Sequence, residues 1–396
     1  MSLKKSSKGS SKSPQLSVTP MAIEIKITPF KIHNPEFFQK MYGFDDPPVF
    51  PTNVVVCISG ALLNIPVING LRRVITDELL HGYLSILDPD NFSSTDPYNN
   101  VAQFQQQLSQ IPLCYPIHKD IKKECTFSLY AINNDMDKKI ILSGDLMFDG
   151  DLSDGDLSDG DLLEKIPKFC PTFPLCELSP GTQICITGIK IISAYGCHYS
   201  GANVACNSRH EFLDIPQYSL EEMNMEENRL KTFSHESGYK ESSFIVKPNN
   251  FSITFNIRAS TNNNHDEAIL ILMDACDNII FRLRSILIHM TTITEDEAKE
   301  SSSIQLSSKA NISNEEIKYE IMIPNETHTI GVLLVHLILE IHPSIIYATS
   351  DINSDSNLIL QFSFKETDDI HQFILDAITH GINIYNSIKK AIIERG

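Results

Sequence analysis

The sequence lacks the features that mark a membrane protein, a disulfide framework or a nucleic-acid-binding module. Its longest apolar run near the C-terminus, residues 330–335, is interrupted by Gly331 and ended by His336, far short of the roughly 20 residues that a membrane-spanning helix needs. The nine cysteines are scattered, odd in number and without a Cys-x-x-Cys pair, which predicts reduced thiols in an intracellular compartment. Residues 1–17 are rich in Ser and Lys without an apolar core, so we expect no signal peptide.

Positive charge is also scarce. The 32 Lys and Arg residues face 50 Asp and Glu residues, giving a formal net charge of −18. Contacts to phosphates require clustered Lys and Arg side chains. The composition therefore predicts a protein that does not read nucleic acid directly, whereas a hydrophobic content of 42% is enough for a folded core.

Catalytic signatures are missing as well. The sequence has no G-x-S-x-G, no P-loop, no G-x-G-x-x-G after a strand and no H-E-x-x-H. Its closely spaced aspartates lie in a Gly-Asp-Leu-Ser-Asp repeat, with seven aspartates in 145–161. The five-residue period does not supply the alternating ligands and final Glu of a calcium-binding loop. We expect a solvated acidic loop over 144–162, with metal binding as the alternative.

Apolar periodicity predicts an α+β fold with two similarly organised units, each built as a strand, a short helix, further strands and a long helix. Asn64 and Pro66 begin a helix whose apolar stripe continues to Leu79. Long amphipathic helices are predicted over about 266–290 and 368–393. The predicted divisions are a disordered tail (1–20), a first unit (21–115 plus 246–290), a mainly β insertion (116–245), a linker (291–312) and a second unit (313–396).

Two motifs in these units resemble those of the α-like assembly subunits of multisubunit DNA-directed RNA polymerases. Asn69-Gly70-Leu71-Arg72-Arg73, with Glu78 five residues later, resembles the N-x-L-R-R motif of the third-largest eukaryotic subunit and of the archaeal D subunit. Residues 325–334, Asn-Glu-Thr-His-Thr-Ile-Gly-Val-Leu-Leu, resemble the x-E-x-H-T-L-G-N-L-L signature of the smaller partner, the eleventh eukaryotic or archaeal L subunit. Fusion of both subunit types in one chain is typical of the RNA polymerases of large cytoplasmic DNA viruses.

The resemblance implies two α-subunit-like dimerisation units, each with a mixed sheet and long helices, paired within one chain. It implies a non-catalytic assembly platform that contacts the second-largest (β-like) and largest (β′-like) subunits and small polymerase subunits. It implies no cofactor here, with magnesium only in the catalytic subunits. The interface residues that it implies are Asn69, Leu71, Arg72, Arg73, Glu78, Glu326, His328, Thr329, Gly331 and Leu334.

The sequence departs from the family pattern at Val332, which replaces the usual Asn, and this leaves details of the partner contacts open. From residue types alone, Glu78 is as readily a partner of Arg72 or of another neighbour, or the cap of a local network. His328 is as readily a residue that stabilises the turn or packs there. The protein is expected to be intracellular: in host cytoplasm and virion if viral, otherwise in nucleus or cytosol.

Two other functions stay open. One is a free-standing acidic interaction scaffold derived from the same fold. The other is a metal-dependent enzyme that uses the Cys- and His-containing insertion, although the spacing of its candidate ligands is unlike that of common zinc modules. Those candidates are Cys170, Cys176, Cys197, Cys206 and His210.

Overall fold

The computed structural model describes residues 22–29, 50–60, 62–116, 126–149, 168–212, 250–260, 264–292, 304–311, 316–342, 345–364 and 370–395. The predicted tail (1–20) and residues 150–162 of the predicted acidic loop lie outside this part of the chain. The described residues form five α-helices and fifteen strands, so the α+β class is confirmed.

The first sheet is formed by β1 (Ala22–Pro29), β2 (Phe50–Ser59), β10 (Ala205–Phe212) and β11 (Asn250–Ser260). Its strand order is β1-β2-β11-β10. Two helices accompany it: α1 (Ile65–Arg73), which continues into a π-helical turn at Val74–Glu78, and the long α3 (Asn264–Thr292). The Asn64 side chain accepts a hydrogen bond from the Val67 amide at 2.9 Å and so caps α1, with Pro66 where a missing N–H costs nothing.

We call the described residues from 304 onward the second half and those before them the first half. The sheet of the second half is formed by β12 (Gln305–Asn311), β13 (Glu316–Ile323), β14 (Ile345–Ile352) and β15 (Leu358–Phe364). It repeats the arrangement of the first sheet, with the order β12-β13-β15-β14. The helices α4 (His328–Ile341) and α5 (Ile370–Arg395) occupy the places of α1 and α3. In chain order, both sheets place their strands first, second, fourth and third.

Every pairing between described strands is antiparallel, so the prediction of mixed sheets is wrong. The second-half sheet shows the reason. After β13, the helix α4 brings the chain back so that β14 runs in the same direction as β13. The two strands are not adjacent, because one strand position is left open between them. The next strand, β15, fills that gap and runs antiparallel to both neighbours.

Equivalent helices of the two halves contact each other: α1 packs on α4, and α3 packs on α5. One continuous apolar core therefore includes residues of both four-stranded sheets and of all four helices. The stripe predicted on the first helix is fully buried in it, with Val67, Leu71, Val74 and Ile75 at 0% exposure. Burial of such side chains contributes about 1.5–3 kcal/mol each. Because the apolar residues of both halves cover each other in this core, neither half exposes them to solvent.

An inserted β-rich layer has its own core. Its five-stranded sheet joins β3 (Leu80–Ile86), β4 (Phe92–Ser94), β5 (Thr126–Ile132), β7 (Met147–Phe148) and β9 (Gln183–Tyr195). The hairpin-like pair β6 (Lys139–Leu142) and β8 (Pro174–Leu178) and the helix α2 (Val101–Ser109) complete it. Residues 80–113 thus contribute to the insertion, not to the first unit as predicted, and β10 returns to the first sheet.

The structure also places a strand inside the predicted linker 291–312. Residues 305–311 pair with β13 from Gln305↔Met322 to Asn311↔Glu316, so the second unit begins earlier than its predicted start at 313. Among the described residues, no helix is long and apolar enough to cross a membrane.

Candidate functional site

The two sequence motifs meet at one guanidinium group. Arg282 of α3 donates from Nη1 to Glu78, and from Nε and Nη2 to Glu326 Oε2 at 3.0 and 2.5 Å. Its Nη2 also donates to the Thr327 hydroxyl at 2.7 Å. Thr329 donates its hydroxyl proton to Glu78. One cation therefore joins a carboxylate of the first half to the carboxylate and hydroxyl groups of the second half.

This cluster, the Arg282 network, is largely removed from solvent. The Arg282 side chain is 15% exposed, and Glu78 and Glu326 are each 11% exposed. Burial by itself lowers the pKa of Arg282, but the hydrogen bonds and negative charges of Glu326 and Glu78 outweigh it and raise that pKa. Removing one partner of such a buried pair costs about 3–5 kcal/mol, because the other charge stays buried without compensation.

The π-helical turn explains how Glu78 reaches the network. A helix of regular period ends at Arg73, and Val74–Glu78 adopts the wider turn; π-turns of this kind are frequent at functional sites. The expected pairing of Glu78 with Arg72 is absent: the Glu78 carboxylate contacts Arg282, Thr327 and Thr329.

On the side of the second motif, Thr327 is the N-cap of α4 and accepts a hydrogen bond from the Thr329 amide at 3.3 Å. The negative charge of Glu78 thus lies at a helix N-terminus, where the helix dipole favours it. Gly331 packs against the sheet so closely that a Cβ atom there would lie 2.9 Å from Ser350 Cβ. His328 is exposed, and its side chain makes no hydrogen bond within the described residues.

A second contact joins α1 and α4, this time between the start of α1 and the end of α4. Asn64, the N-cap of α1, donates from Nδ2 to Glu340 Oε2 near the end of α4 at 3.0 Å. Each helix therefore presents a glutamate from its C-terminal end to the N-cap of the other. The Asn64–Glu340 contact is exposed, whereas its counterpart at Glu78 is buried.

Asn69 and Arg72 form a separate cluster against β10. Arg72 donates from Nε to Asn69 Oδ1 at 3.0 Å and from Nη1 to the Ser208 hydroxyl at 2.9 Å. Asn207 has a positive φ of 52°, and the register of β10 shifts between Cys206 and Arg209. Such bulges redirect a side chain, and here Ser208 is turned toward α1. Arg72 is therefore occupied inside the chain.

Arg73 differs from its neighbour. It ends α1 and is partly exposed, and its side chain has neither a hydrogen bond nor an ion pair in the part of the chain that the structure describes. The remaining predicted residues, Leu71 and Leu334, are at 0% exposure and pack in the shared core, where they hold α1 and α4 in place without facing solvent.

Sequence reasoning missed Arg282, Ser208 and Tyr385. Tyr385 of α5 is fully buried and donates to the Val67 carbonyl of α1 at 2.9 Å, and a Cβ at Gly70 would lie 3.1 Å from its hydroxyl oxygen. The sequence did contain a signal for Arg282, because this cation lies next to the apolar stripe of a long helix. Ser208 carried no signal, because its role depends on the bulge.

The proposed metal ligands do not assemble. Cys176 lies on β8, Cys206 on β10 and Cys197 in an exposed turn. In the described part of the chain, no group of three or more His, Cys, Asp or Glu side chains is placed to hold a metal ion.

Fold and site together define an α+β protein with one continuous apolar core around its two four-stranded sheets and one buried ionic network. No family model matches the chain. Three relatives, each named "DNA-directed RNA polymerase RPB3-11 homolog", come from African swine fever virus. The Tick/Malawi/Lil 20-1/1983 protein is 27% identical over 382 residues, 94% of this chain and 97% of its own.

The Pig/Kenya/KEN-50/1950 protein is 27% identical over 354 residues, 88% of this chain and 89% of its own. The Warthog/Namibia/Wart80/1980 protein is 29% identical over 302 residues, 75% of each. These similarities confirm the resemblance predicted from the two motifs and support an RPB3/RPB11-like polymerase subunit fusion.

Proposed function

We propose that this chain is the non-catalytic subunit of a DNA-directed RNA polymerase on which the two large catalytic subunits assemble. The observation that carries the proposal is the near full-length similarity to viral polymerase proteins whose name joins both subunit types. The alternative of a free-standing scaffold is not favoured, because the similarity to these relatives extends over 88–94% of the chain.

The internal symmetry supports a pairing of two α-like units within the chain. Both sheets have the same strand order, and equivalent helices contact each other, α1 with α4 and α3 with α5. A two-fold interface places the same elements of both partners opposite each other. The single chain thus supplies both halves of what separate polypeptides form in the cellular polymerases that it resembles.

Arg73 is the residue that we propose for docking the β-like subunit. Arg72 is held by Asn69 and Ser208, and its pKa is lowered by burial and then by the neighbouring charge of Arg73. Arg73 has no comparable partner in the described residues, so its guanidinium remains available for a carboxylate of another protein. Fork-shaped guanidinium groups suit such interfacial pairs.

The test is co-expression of the full chain with the two large subunits of its own polymerase, followed by affinity purification through a tag on this chain. We expect all three to co-purify, and Arg73→Glu to lower recovery of the second-largest subunit at least about tenfold, as for an interface hot spot. Arg284→Glu, on an exposed position of α3, is the matched control and should leave recovery unchanged. Wild-type protein that captures neither large subunit would overturn the proposal.

A further inference from the structure

The outer face of the second-half sheet, opposite the shared core, contains a cavity of about 270 Å³. It lies over one row of directly opposite residues: Lys318 of β13 pairs with Ser363 of β15, which pairs with Tyr347 of β14. Directly opposite residues of an antiparallel pair point to the same face, whereas Phe362, next to Ser363, is buried in the core. Because Ser363 is short and both of its partners are long, space is left between the two longer side chains.

A bulge in β14 places the tyrosine in this row. The pairing shifts between Ile345, which is opposite Phe364, and Tyr347, which is opposite Ser363, so residue 346 is the extra residue of the bulge. Bulges of this kind redirect a side chain. Here the bulge brings a phenol hydroxyl to the edge of the cavity, on a side chain that is 53% exposed.

Two hydrogen-bond donors therefore lie on opposite sides of the cavity. Lys318 is exposed, and within the described residues neither its ammonium group nor the Tyr347 hydroxyl has a hydrogen bond or an ion pair. An ammonium group can only donate, and a phenol hydroxyl can donate as well. A carboxylate accepts from both, and hydrogen bonds between charged groups are roughly twice as strong as neutral ones. This part of the cavity suits a negatively charged oxygen.

A negative charge lies beside these donors. Glu320 also lines the cavity and faces the same side as Lys318, two residues or roughly 7 Å further along β13. Gln361 donates from Nε2 to Glu320 Oε2 at 2.9 Å. This bond orients the carboxylate, and its Oε1 atom accepts no hydrogen bond within the described residues. A free anion would be repelled by Glu320, whereas a ligand with an anion and a cation at this spacing is attracted to both charges.

We infer that the cavity binds an extended segment of another protein that carries an acidic side chain two positions away from a basic one. Alternate side chains of an extended chain lie on one side, also roughly 7 Å apart. The acidic side chain enters between Lys318 and Tyr347, and the basic side chain contacts Glu320. A volume of about 270 Å³ is below the roughly 300–1,000 Å³ of sites for drug-sized ligands and suits side chains of a peptide. This binding is independent of the assembly function proposed above.

The experiment measures binding of the purified full chain to end-blocked, fluorescein-labelled peptides by fluorescence anisotropy. The probe is Thr-Thr-Val-Asp-Val-Lys-Val-Thr-Thr, and the matched peptide has Asp in place of Lys. We expect the wild type to bind the Asp-x-Lys peptide at least about tenfold more tightly than the Asp-x-Asp peptide, because like charges would meet at Glu320. Glu320→Lys should reverse this preference, although the chain as a whole has a net charge of −18.

Matched variants separate the cavity from the rest of the surface. Asp90→Lys, at an exposed position of the insertion, changes the net charge by the same amount as Glu320→Lys and should leave the preference unchanged. Tyr347→Ala should weaken binding of the Asp-x-Lys peptide about tenfold or more. Tyr130→Ala, at a tyrosine that is 56% exposed, should not. Glu320→Gln should remove most of the preference between the two peptides, because it removes the charge and keeps a hydrogen-bonding group.

Three results would overturn the inference. The first is wild-type protein that binds neither peptide. The second is equal affinity for both peptides with displacement by inorganic phosphate, which would show a site for free anions. The third is a Glu320→Lys variant with the same preference as the wild type, which would place the peptide elsewhere. An unchanged thermal midpoint in the Glu320 and Tyr347 variants shows that the changes in affinity arise at the surface.

Discussion

Arg282 and Glu326 are bonded through two nitrogen atoms of one guanidinium, with Nε 3.0 Å and Nη2 2.5 Å from the same carboxylate oxygen. Arg282 belongs to the long helix of the first half, and Glu326 directly precedes the first helix of the second. Since Glu78 shares the same guanidinium, the network is incomplete in either half alone. The network therefore ties α3 and the π-helical turn to the start of α4, and its removal should show as lost stability.

Replacing Arg282 by Met should lower the free energy of unfolding by about 3–5 kcal/mol, because two buried carboxylates lose their cation. Urea unfolding followed by circular dichroism measures the difference. Lys389→Met is the control: its ion pair with Asp277 is more exposed, at 27% and 49%, and should contribute less than about 1 kcal/mol. An equal loss of unfolding free energy in both variants would show that the buried network stabilises the protein no more than an exposed ion pair does.

Glu78 and Glu340 occupy corresponding positions at the ends of α1 and α4, which makes them a matched pair. Glu78→Ala should destabilise by about 3–5 kcal/mol, since it leaves Arg282 with half of its compensation. Glu340→Ala should cost less than about 1 kcal/mol, because its contact with Asn64 is exposed. Urea unfolding of both variants measures the two losses in the free energy of unfolding. A larger loss for Glu340→Ala than for Glu78→Ala would contradict the prediction.

Gly331→Ala should destabilise the protein although alanine favours helices. The added methyl would lie 2.5 Å from Leu358 Cδ1 and 2.9 Å from Ser350 Cβ, and overpacking of this kind costs about 1–3 kcal/mol. Val332→Ala, at the next and exposed position, should change stability by less than about 0.5 kcal/mol. A stabilised Gly331→Ala variant in thermal unfolding would mean that α4 does not pack this closely.

The thiols should react in the order of their exposure. Burial raises the pKa of Cys114, Cys176 and Cys276 to about 12, so little thiolate is present at pH 8. Cys197 is exposed, and although partial burial and then the charge of Glu78 raise its pKa too, it should be alkylated by iodoacetamide before these three thiols in the native protein. Mass spectrometry of timed digests measures this order, and early labelling of Cys276 would contradict the α3–α5 packing that covers it.

Asp96 should make stability depend on acid pH. Burial raises its pKa, but hydrogen bonds from the Ser179 and Tyr98 amides and the Thr182 hydroxyl outweigh it and lower the pKa below its usual value. The stabilisation is therefore complete above the unfolded-state pKa of about 3.9 and is lost as pH falls through the lower folded-state pKa.

For Asp96→Asn we expect a loss of about 1–3 kcal/mol near pH 7. The difference from wild type should shrink below about pH 4. Urea titrations at pH 7, 5, 4 and 3 measure it. Asp90→Asn, exposed in the same insertion, is the control, and a difference between Asp96→Asn and wild type that grew toward low pH would contradict the assignment.

Element types were predictable where one periodicity ran uninterrupted. The long helices expected near 266–290 and 368–393 span Asn264–Thr292 and Ile370–Arg395, because their apolar stripes face one shared core. The boundary of the insertion was not predictable. The first helix was predicted to end at Gly82, but the strand β3 already begins at Leu80 and is buried on nearly every residue. A segment this short does not show from its residue pattern whether it is the end of a helix or a buried strand.

The sequence by itself determined the α+β class, the acidic charge and the two motifs in their order, since these depend on residue type and local spacing. Only the tertiary structure decided how the motif residues are used. Arg72 turns inward because a bulge 136 positions away supplies Ser208, whereas Glu78 is carried by a π-helical turn to Arg282, 204 positions away. Such pairings depend on how the sheets and helices pack, and the spacing of residues along the chain does not show which distant side chains will meet.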